Sequence, residues 1–285
     1  MTTLEQSYAY CRAVARAKAR NFYYSFLLLP PDKRAAMCAI YAFMRECDDI
    51  SDEPNPRGAA GAREALREWG AQLDRALSGD IDGHHPLWPA FAHTARRYRI
   101  PSQYFHDMLA GVGSDMEPRT IANFEELRRY CYLVASVVGM TVIHIFGFED
   151  GRALELAEQC GLAFQLTNII RDVREDAQNG RIYLPQDQMT AHGISPADLM
   201  SASQSENLTN LLRELGEHAK RDYARSLELL KLVSSDSRRS LWALMEIYRR
   251  VLLRIEARNY NVLQERIRLS AFEKAGIVAQ ALLRR

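Results

Sequence analysis

Two distant stretches of the chain crowd acids together in apolar company. CDDISDE (Cys47 to Glu53) sets four acids in seven residues. FQLTNIIRDVREDAQNGRIYLP carries Asp172, Glu175 and Asp176 just after a run of apolar residues. A helix advances about 100° per residue, so spacing fixes which side chains share a face. On that wheel Tyr41, Arg45, Asp48 and Asp52 span about 60°, with Asp49 just outside. Gln165, Asn168, Asp172 and Asp176 span about 80°, with Glu175 near the edge. An isolated D-x-x-x-D is ordinarily a solvated face. Here each stripe also holds residues that solvation does not explain: Tyr41 and Arg45 in one, Gln165 and Asn168 in the other. The remaining positions of both helices are largely apolar. Carboxylates facing each other across a cavity need cations between them.

A donor set of oxygens, without His or Cys, suits a hard cation, first of all Mg²⁺, with Mn²⁺ as a substitute. Magnesium takes one or two carboxylates and completes its shell with water and substrate phosphate. Two acidic stripes therefore predict a diphosphate clamped between two helices. With its charge neutralised by metal and arginine, a diphosphate leaves readily, and the chemistry implied is ionisation of a C–O bond to a carbocation. An apolar pocket keeps water from that cation, and aromatic faces stabilise it.

The elements that must position these stripes read as helices. Thr2 with Glu5 predicts a capping box opening a helix to about residue 20. Pro30-Pro31-Asp32 opens the next, and Pro54-Asn55-Pro56 closes it. Helical spacing covers about 59–77, 86–98, 101–115, 123–147, 150–177, 206–233, 236–264 and 270–283. Asn123 with Glu126 forms another cap, and Ser195-Pro196 a cap followed by proline at the first helical position. No window alternates with period two, so the expected fold is all-α. Short loops and the absence of an internal repeat make residues 1–285 a single domain.

The combined pattern resembles the squalene/phytoene synthases, the head-to-head trans-isoprenyl diphosphate synthases. The first acidic signature is YAFMRECDDISDE, the central one YCYLVASVVG (Tyr130 to Gly139), and the second acidic one GLAFQLTNIIRDVREDAQNGRIYLP; YRRVLLRIEARNY follows from Tyr248. The resemblance covers nearly the whole chain and implies a helical bundle around a deep cavity. In it two prenyl diphosphates condense, first to a cyclopropylcarbinyl diphosphate. It implies that Asp48 and Asp52 hold magnesium on one side, and Asn168, Asp172 and Asp176 on the other. Tyr41, Arg45, Gln165, Arg171 and Tyr248 fall on diphosphate-contacting positions, and Tyr130 on that of a tyrosine near the proton-loss step. Arg181 and Tyr183 lie on a flap that helps close the site. Relatives carry a Ser/His/Lys-rich stretch before the first phenylalanine of this region. Here it reads Lys18-Ala19-Arg20-Asn21-Phe22, so Lys18, Arg20 and Asn21 keep phosphate-binding capacity without the hydroxyls. NFYYSFLLLP looks most similar to the bacterial presqualene/squalene-forming branch, which makes farnesyl diphosphate the expected substrate. Phytoene and dehydrosqualene synthases are the close alternatives. No glycine-rich nicotinamide fingerprint is present, which leaves NADPH use open because some relatives reduce the intermediate without one.

Other classes fit less well. A carboxylate-bridged di-iron bundle needs Glu-x-x-His pairs, and no Glu here is followed by His three residues later. A non-catalytic scaffold of the same fold would not need both stripes. Net charge is +1, with no basic patch interleaved with aromatics, so nucleic acid is not an expected partner, and no obligate protein partner is implied. The five cysteines are odd in number and widely spaced, as for buried free thiols in a reducing compartment. The stretch from Tyr130 to Phe148 holds no charged residue and approaches membrane-spanning length, but its Gly, Ser, Thr and His suit a helix buried inside a bundle. The expected location is cytoplasmic, with peripheral membrane contact through the basic end (Arg266, Arg268, Lys274, Arg284, Arg285).

Overall fold

The computed structural model describes residues 2–19, 22–52, 56–81, 85–116 and 119–284, without the side chains of Phe22 and Asp52. The expected roles of Arg20, Asn21 and the Asp52 carboxylate, and the Pro54-Asn55 stop, lie outside the described residues. The structure is 76% helical, in one domain, as the spacing predicted. Early helices are α1 (Leu4–Lys18), α2 (Phe22–Phe26), α3 (Pro31–Asp52), α4 (Gly58–Ser78), α5 (Trp88–Arg97) and α6 (Ser102–Ser114). The central limb is α7 (Phe124–Cys131), a π-helical segment (Tyr132–Ser136), α8 (Val137–Phe146) and the 27-residue α9 (Arg152–Gln178). After these come α10 (Gln186–Ala191), a 3₁₀ turn (Pro196–Met200), α11 (Glu206–Ser226), α12 (Leu229–Leu232), α13 (Ser235–Ala257) and α14 (Ala271–Leu283).

The caps refine the sequence reading. The first capping box is Thr3 with Gln6, one residue later than expected: each backbone N–H donates to the other's side chain, at 3.2 and 2.9 Å. Asn123 caps α7 by accepting from the Glu126 N–H at 3.0 Å. Ser195-Pro196 opens a 3₁₀ turn rather than an α-helix, with the Ser195 N–H donating to Asp198 at 2.7 Å.

Three expected helices are interrupted, each at an identifiable contact or backbone turn. In 123–147 the π segment inserts where the Ser136 hydroxyl donates across to the Glu158 carbonyl of α9 at 2.8 Å. In 206–233 the helix breaks after Ser226, whose hydroxyl donates back to the Asp222 carbonyl at 2.6 Å. In 236–264 it stops at Ala257, because Asn259 and Tyr260 take positive φ (50° and 56°) and turn the Tyr260 ring into the core, 1% exposed. The ring lies against Gly216, where a Cβ would sit 2.3 Å from its hydroxyl. Two features among the described residues depart from all-α: Arg119–Thr120 (β1) pairs in parallel with Arg181–Ile182 (β2), and Phe148 forms an isolated antiparallel bridge with Val233.

At one end Lys33 stitches three helices. Its ammonium donates to the Phe146 carbonyl and Asp236, both at 2.7 Å, and to the Ser237 hydroxyl at 3.0 Å. The uncharged stretch after Tyr130 is central, not peripheral: Val137, Ile143, Ile145 and Phe146 are buried, and the part-exposed Leu133, Val134 and Val138 line an internal cavity. The Phe124–Phe146 segment is long and apolar enough to cross a membrane, yet more than half of its most apolar window is buried in the bundle. All five cysteines are free and buried.

Candidate active site

The cavity lies between α3, α6, α7 to α8, α9 and α13. Its inner part, about 360 Å³, has apolar walls that include Met108, Val138, Phe164 and Leu244. A polar chamber of about 400 Å³ continues from it, lined by Asp48, Arg171, Asp172, Asp176, Arg181 and Tyr183. The two share Asp48, Val112, Asp115, Tyr130, Gln165 and Asn168 as a common rim. Thus a polar mouth opens on an apolar pocket, the layout a diphosphate with a hydrocarbon tail requires.

Among the described side chains, Asp48 of the first stripe and Gln165, Asn168, Asp172 and Asp176 of the second line this space, with different exposure. The Asp48 side chain is 52% exposed, so the first stripe stands at the mouth rather than being buried. Arg45 pairs chiefly with Asp49 and lies 4.0 Å from Asp48. Lys18 reaches Asp49 at 3.9 Å; neither side chain lines the cavity itself. Tyr41, on α3 with Arg45, is near enough to Arg45 and Tyr248 to influence their ionisation. Tyr248 is 5% exposed and stacks on Phe164 at 4.3 Å, forming part of the inner wall.

On α9 the Asp172 carboxylate is 12% exposed and doubly bound. Arg171 donates from Nε at 2.8 Å and from Nη2 at 2.5 Å. Arg266 lies at 2.8 Å from its other side and also reaches Glu175 at 2.7 Å. This corrects the sequence reading, which put Arg266 on a membrane-facing basic end. It turns inward because the irregular chain after Ala257 passes over the end of α9, where Arg174 donates to the Leu263 carbonyl at 2.7 Å.

Asp176 has no such compensation. Burial pushes its carboxyl up to about 7, aided by the Asp172 and Glu175 charges and opposed by Arg181 and Arg266. Ionising it therefore costs folding free energy. Its stabilising contribution is full below the ordinary value of 3.8 and is lost as pH rises towards about 7. Without divalent metal, the difference in Tm between wild type and Asp176→Asn should grow in the variant's favour from pH 4 to pH 8; thermal unfolding across that range measures it, and a flat difference would refute the assignment.

The chamber is short of positive charge in a way a divalent cation would mend. The Asn168 Oδ1 is buried without a partner, and Asp176 resists ionisation. Among the described residues no three His, Cys, Asp or Glu side chains form a ready-made metal cage.

The squalene/phytoene synthase profile matches residues 4–273. The chain belongs to the squalene/phytoene synthase family. This synthase is 36% identical to the phytoene synthase of Mycobacterium tuberculosis over 99% of its own length and 92% of that protein. It is 33% identical to the 15-cis-phytoene synthase of Synechococcus elongatus, over 100% and 95%. Among solved structures it superposes on a dehydrosqualene synthase with TM-score 0.89 at 30% identity, covering 98% and 96%. On the squalene synthase HpnC of Alicyclobacillus acidocaldarius the TM-score is 0.83 at 26% identity, covering 90% and 96%. The enzyme is a prenyltransferase of the type that joins two prenyl diphosphates head to head.

Asp115 and Arg119 escaped the sequence reading. Asp115 accepts from the Tyr130 and Tyr183 hydroxyls, and Arg119 lies over the Tyr130 ring at 5.3 Å. The only signal was an acid at the end of an apolar helix, and isolated acids there are common.

Proposed function

We propose that this synthase condenses two molecules of farnesyl diphosphate to presqualene diphosphate or a product derived from it. The polar chamber joined to an apolar pocket carries this reading. Lys18, Arg45, Arg171 and Arg181 are the cations available to the two diphosphates, while Tyr41, Gln165 and Tyr248 orient them. The residues that would hold a divalent metal are Asp48 and Asp52 on α3 and Asn168, Asp172 and Asp176 on α9; Mg²⁺ there would neutralise the diphosphate as its C–O bond breaks. Phe164 and Tyr248, stacked on each other in the pocket wall, are the aromatic rings that would stabilise the developing cation. A second reading, condensation of geranylgeranyl diphosphate to phytoene, is favoured by the names of the relatives at 36% and 33% identity. Incubation with each labelled prenyl diphosphate, with and without NADPH, separates the two by product chain length. Activity should vanish in EDTA and return with Mg²⁺ or Mn²⁺, since uncompensated carboxylates repel diphosphate. Full turnover in chelator would sink the metal clamp.

A cytoplasmic enzyme that touches a membrane belongs to the same proposal. Helix α14 turns an uncharged face to solvent: Phe272 is 90% exposed, Leu282 55% and Leu283 85%, and exposed Ala275, Gly276 and Ala279 lie between them. Surface helices usually show water their charged face. Exposed Arg268 and Arg284 flank it, which suits an anionic bilayer. Phe272→Glu should weaken co-sedimentation with anionic vesicles by roughly tenfold while kcat on detergent-dispersed substrate stays unchanged. Equal sedimentation of variant and wild type would remove α14 from the contact.

A further inference from the structure

Tyr130 sits in a frame built from three other segments. Its hydroxyl donates to Asp115 Oδ2 at 3.0 Å, and Tyr183 donates to Asp115 Oδ1 at 2.9 Å. The two rings stack, 4.7 Å apart and 16° from parallel. Asp115 follows α6 directly, and Tyr183 follows β2, whose pairing with β1 aligns Arg181 with Arg119. Tyr130 and Tyr183 are 3% and 6% exposed, yet Asp115 and Tyr130 both border the inner pocket and the polar chamber.

A tyrosine so placed cannot serve alone as a base. Burial holds the Tyr130 phenol well above its ordinary range, and the Asp115 charge adds to this, so the hydroxyl keeps its proton. It can accept a proton only by releasing its own in the same step. The group positioned to receive that one is the carboxylate it already bonds. We propose that Asp115 is the positioning residue of Tyr130 and the final acceptor of the proton lost in the condensation. The step balances. A C–H bond of the prenyl carbon that closes the cyclopropane breaks, and its electron pair completes the new C–C bond. The proton passes to the Tyr130 oxygen as the Tyr130 proton passes to Asp115 Oδ2, so the cation and the carboxylate are both neutralised. Burial raises the Asp115 carboxyl, while the Tyr183 and Tyr130 hydrogen bonds and then the Arg181 and Arg119 charges pull it down. Across the chamber stand Asp48, Arg171, Asp172 and Asp176. Tyr183 keeps the second oxygen engaged, which orients Oδ2 towards Tyr130.

The inference rests on the head-to-head reading above. The test uses the wild type, Asp115→Asn, Asp115→Glu and Tyr130→Phe with Mg²⁺ and farnesyl or geranylgeranyl diphosphate, unlabelled or deuterated at the reacting carbon. Asp115→Asn should lower kcat by roughly 10²–10⁴-fold with KM little changed, since a lost proton acceptor costs about that much. It should expose a primary deuterium isotope effect that the wild type masks, and abolish the acidic limb of the kcat profile. Asp115→Glu, which keeps a carboxylate, should recover part of the rate and that limb. If Asp115→Asn does not fold, Asp115→Glu and Tyr130→Phe carry the isotope measurement. Folded Asp115→Asn with wild-type kcat, or activity lost through KM with no change in isotope effect, would overturn the inference and hand the proton to the departing diphosphate. A wild type that makes no product from either substrate would overturn the functional reading itself, and the inference with it.

Discussion

Asp48→Asn and Asp172→Asn should each lower turnover by roughly 10³-fold, because each removes an anionic oxygen from the chamber that must balance metal and diphosphate. The shape of the site is kept, so the loss would be chemical. The double variant should lose little more than either single one, since both acids serve one charge arrangement. Stability should separate them. Relieving repulsion among the acids would by itself leave the fold unharmed or slightly firmer. The structure divides the stripes on this point. Asp48 is 52% exposed and loosely paired, so its variant should unfold as the wild type does. Asp172 accepts from both Arg171 and Arg266, so Asn there leaves two guanidiniums underpaired and should lower Tm by a few degrees. The measurement is kcat for both single variants and the double, beside thermal unfolding without divalent metal. Near-normal turnover in either single variant would make that stripe an ordinary solvated face.

Gly161→Ala should damage the fold more than any surface change. Gly161 is the point where α9 crosses the π segment: an added Cβ would lie 2.6 Å from the Ser136 Cα and 2.7 Å from the Ala135 carbonyl oxygen. Both are backbone atoms, so no side chain can swing aside. One turn away, a Cβ on Gly139 would meet the Ala157 carbonyl oxygen of α9 at 2.8 Å. Overpacking of this kind costs about 3 kcal/mol or more, and forcing the helices apart also shifts the cavity wall they share. A fall in Tm of roughly 5–10 °C is expected, with a larger fall in kcat/KM than in expression level. An unchanged Tm would mean that the π segment yields freely. Gly276, with nothing within 4 Å of a Cβ, is the control that should tolerate alanine.

How much of this was legible beforehand depends on what kind of interaction decides each feature. Helix content and the two acidic stripes are properties of periodicity, which local sequence carries, so α3 and α9 appear where their spacing put them. That Asn168, Asp172 and Asp176 share one cavity also follows from a stripe set amid apolar neighbours, whereas Asp48 stands half-exposed at its mouth. The interruptions did not follow. The π segment ends at Ser136, whose hydroxyl meets the Glu158 carbonyl of α9, and α13 ends at Ala257 because Gly216 leaves room for the Tyr260 ring. The inward turn of Arg266 and the bonding of Asp115 to Tyr130 and Tyr183 are likewise contacts between distant segments. The sequence by itself determined which faces carry charge and which carry carbon, because side-chain direction repeats with the helix. Only the tertiary structure decided which carboxylates are neutralised, which stand bare and which tyrosine meets a base, because those depend on desolvation and distance between groups the chain does not place side by side.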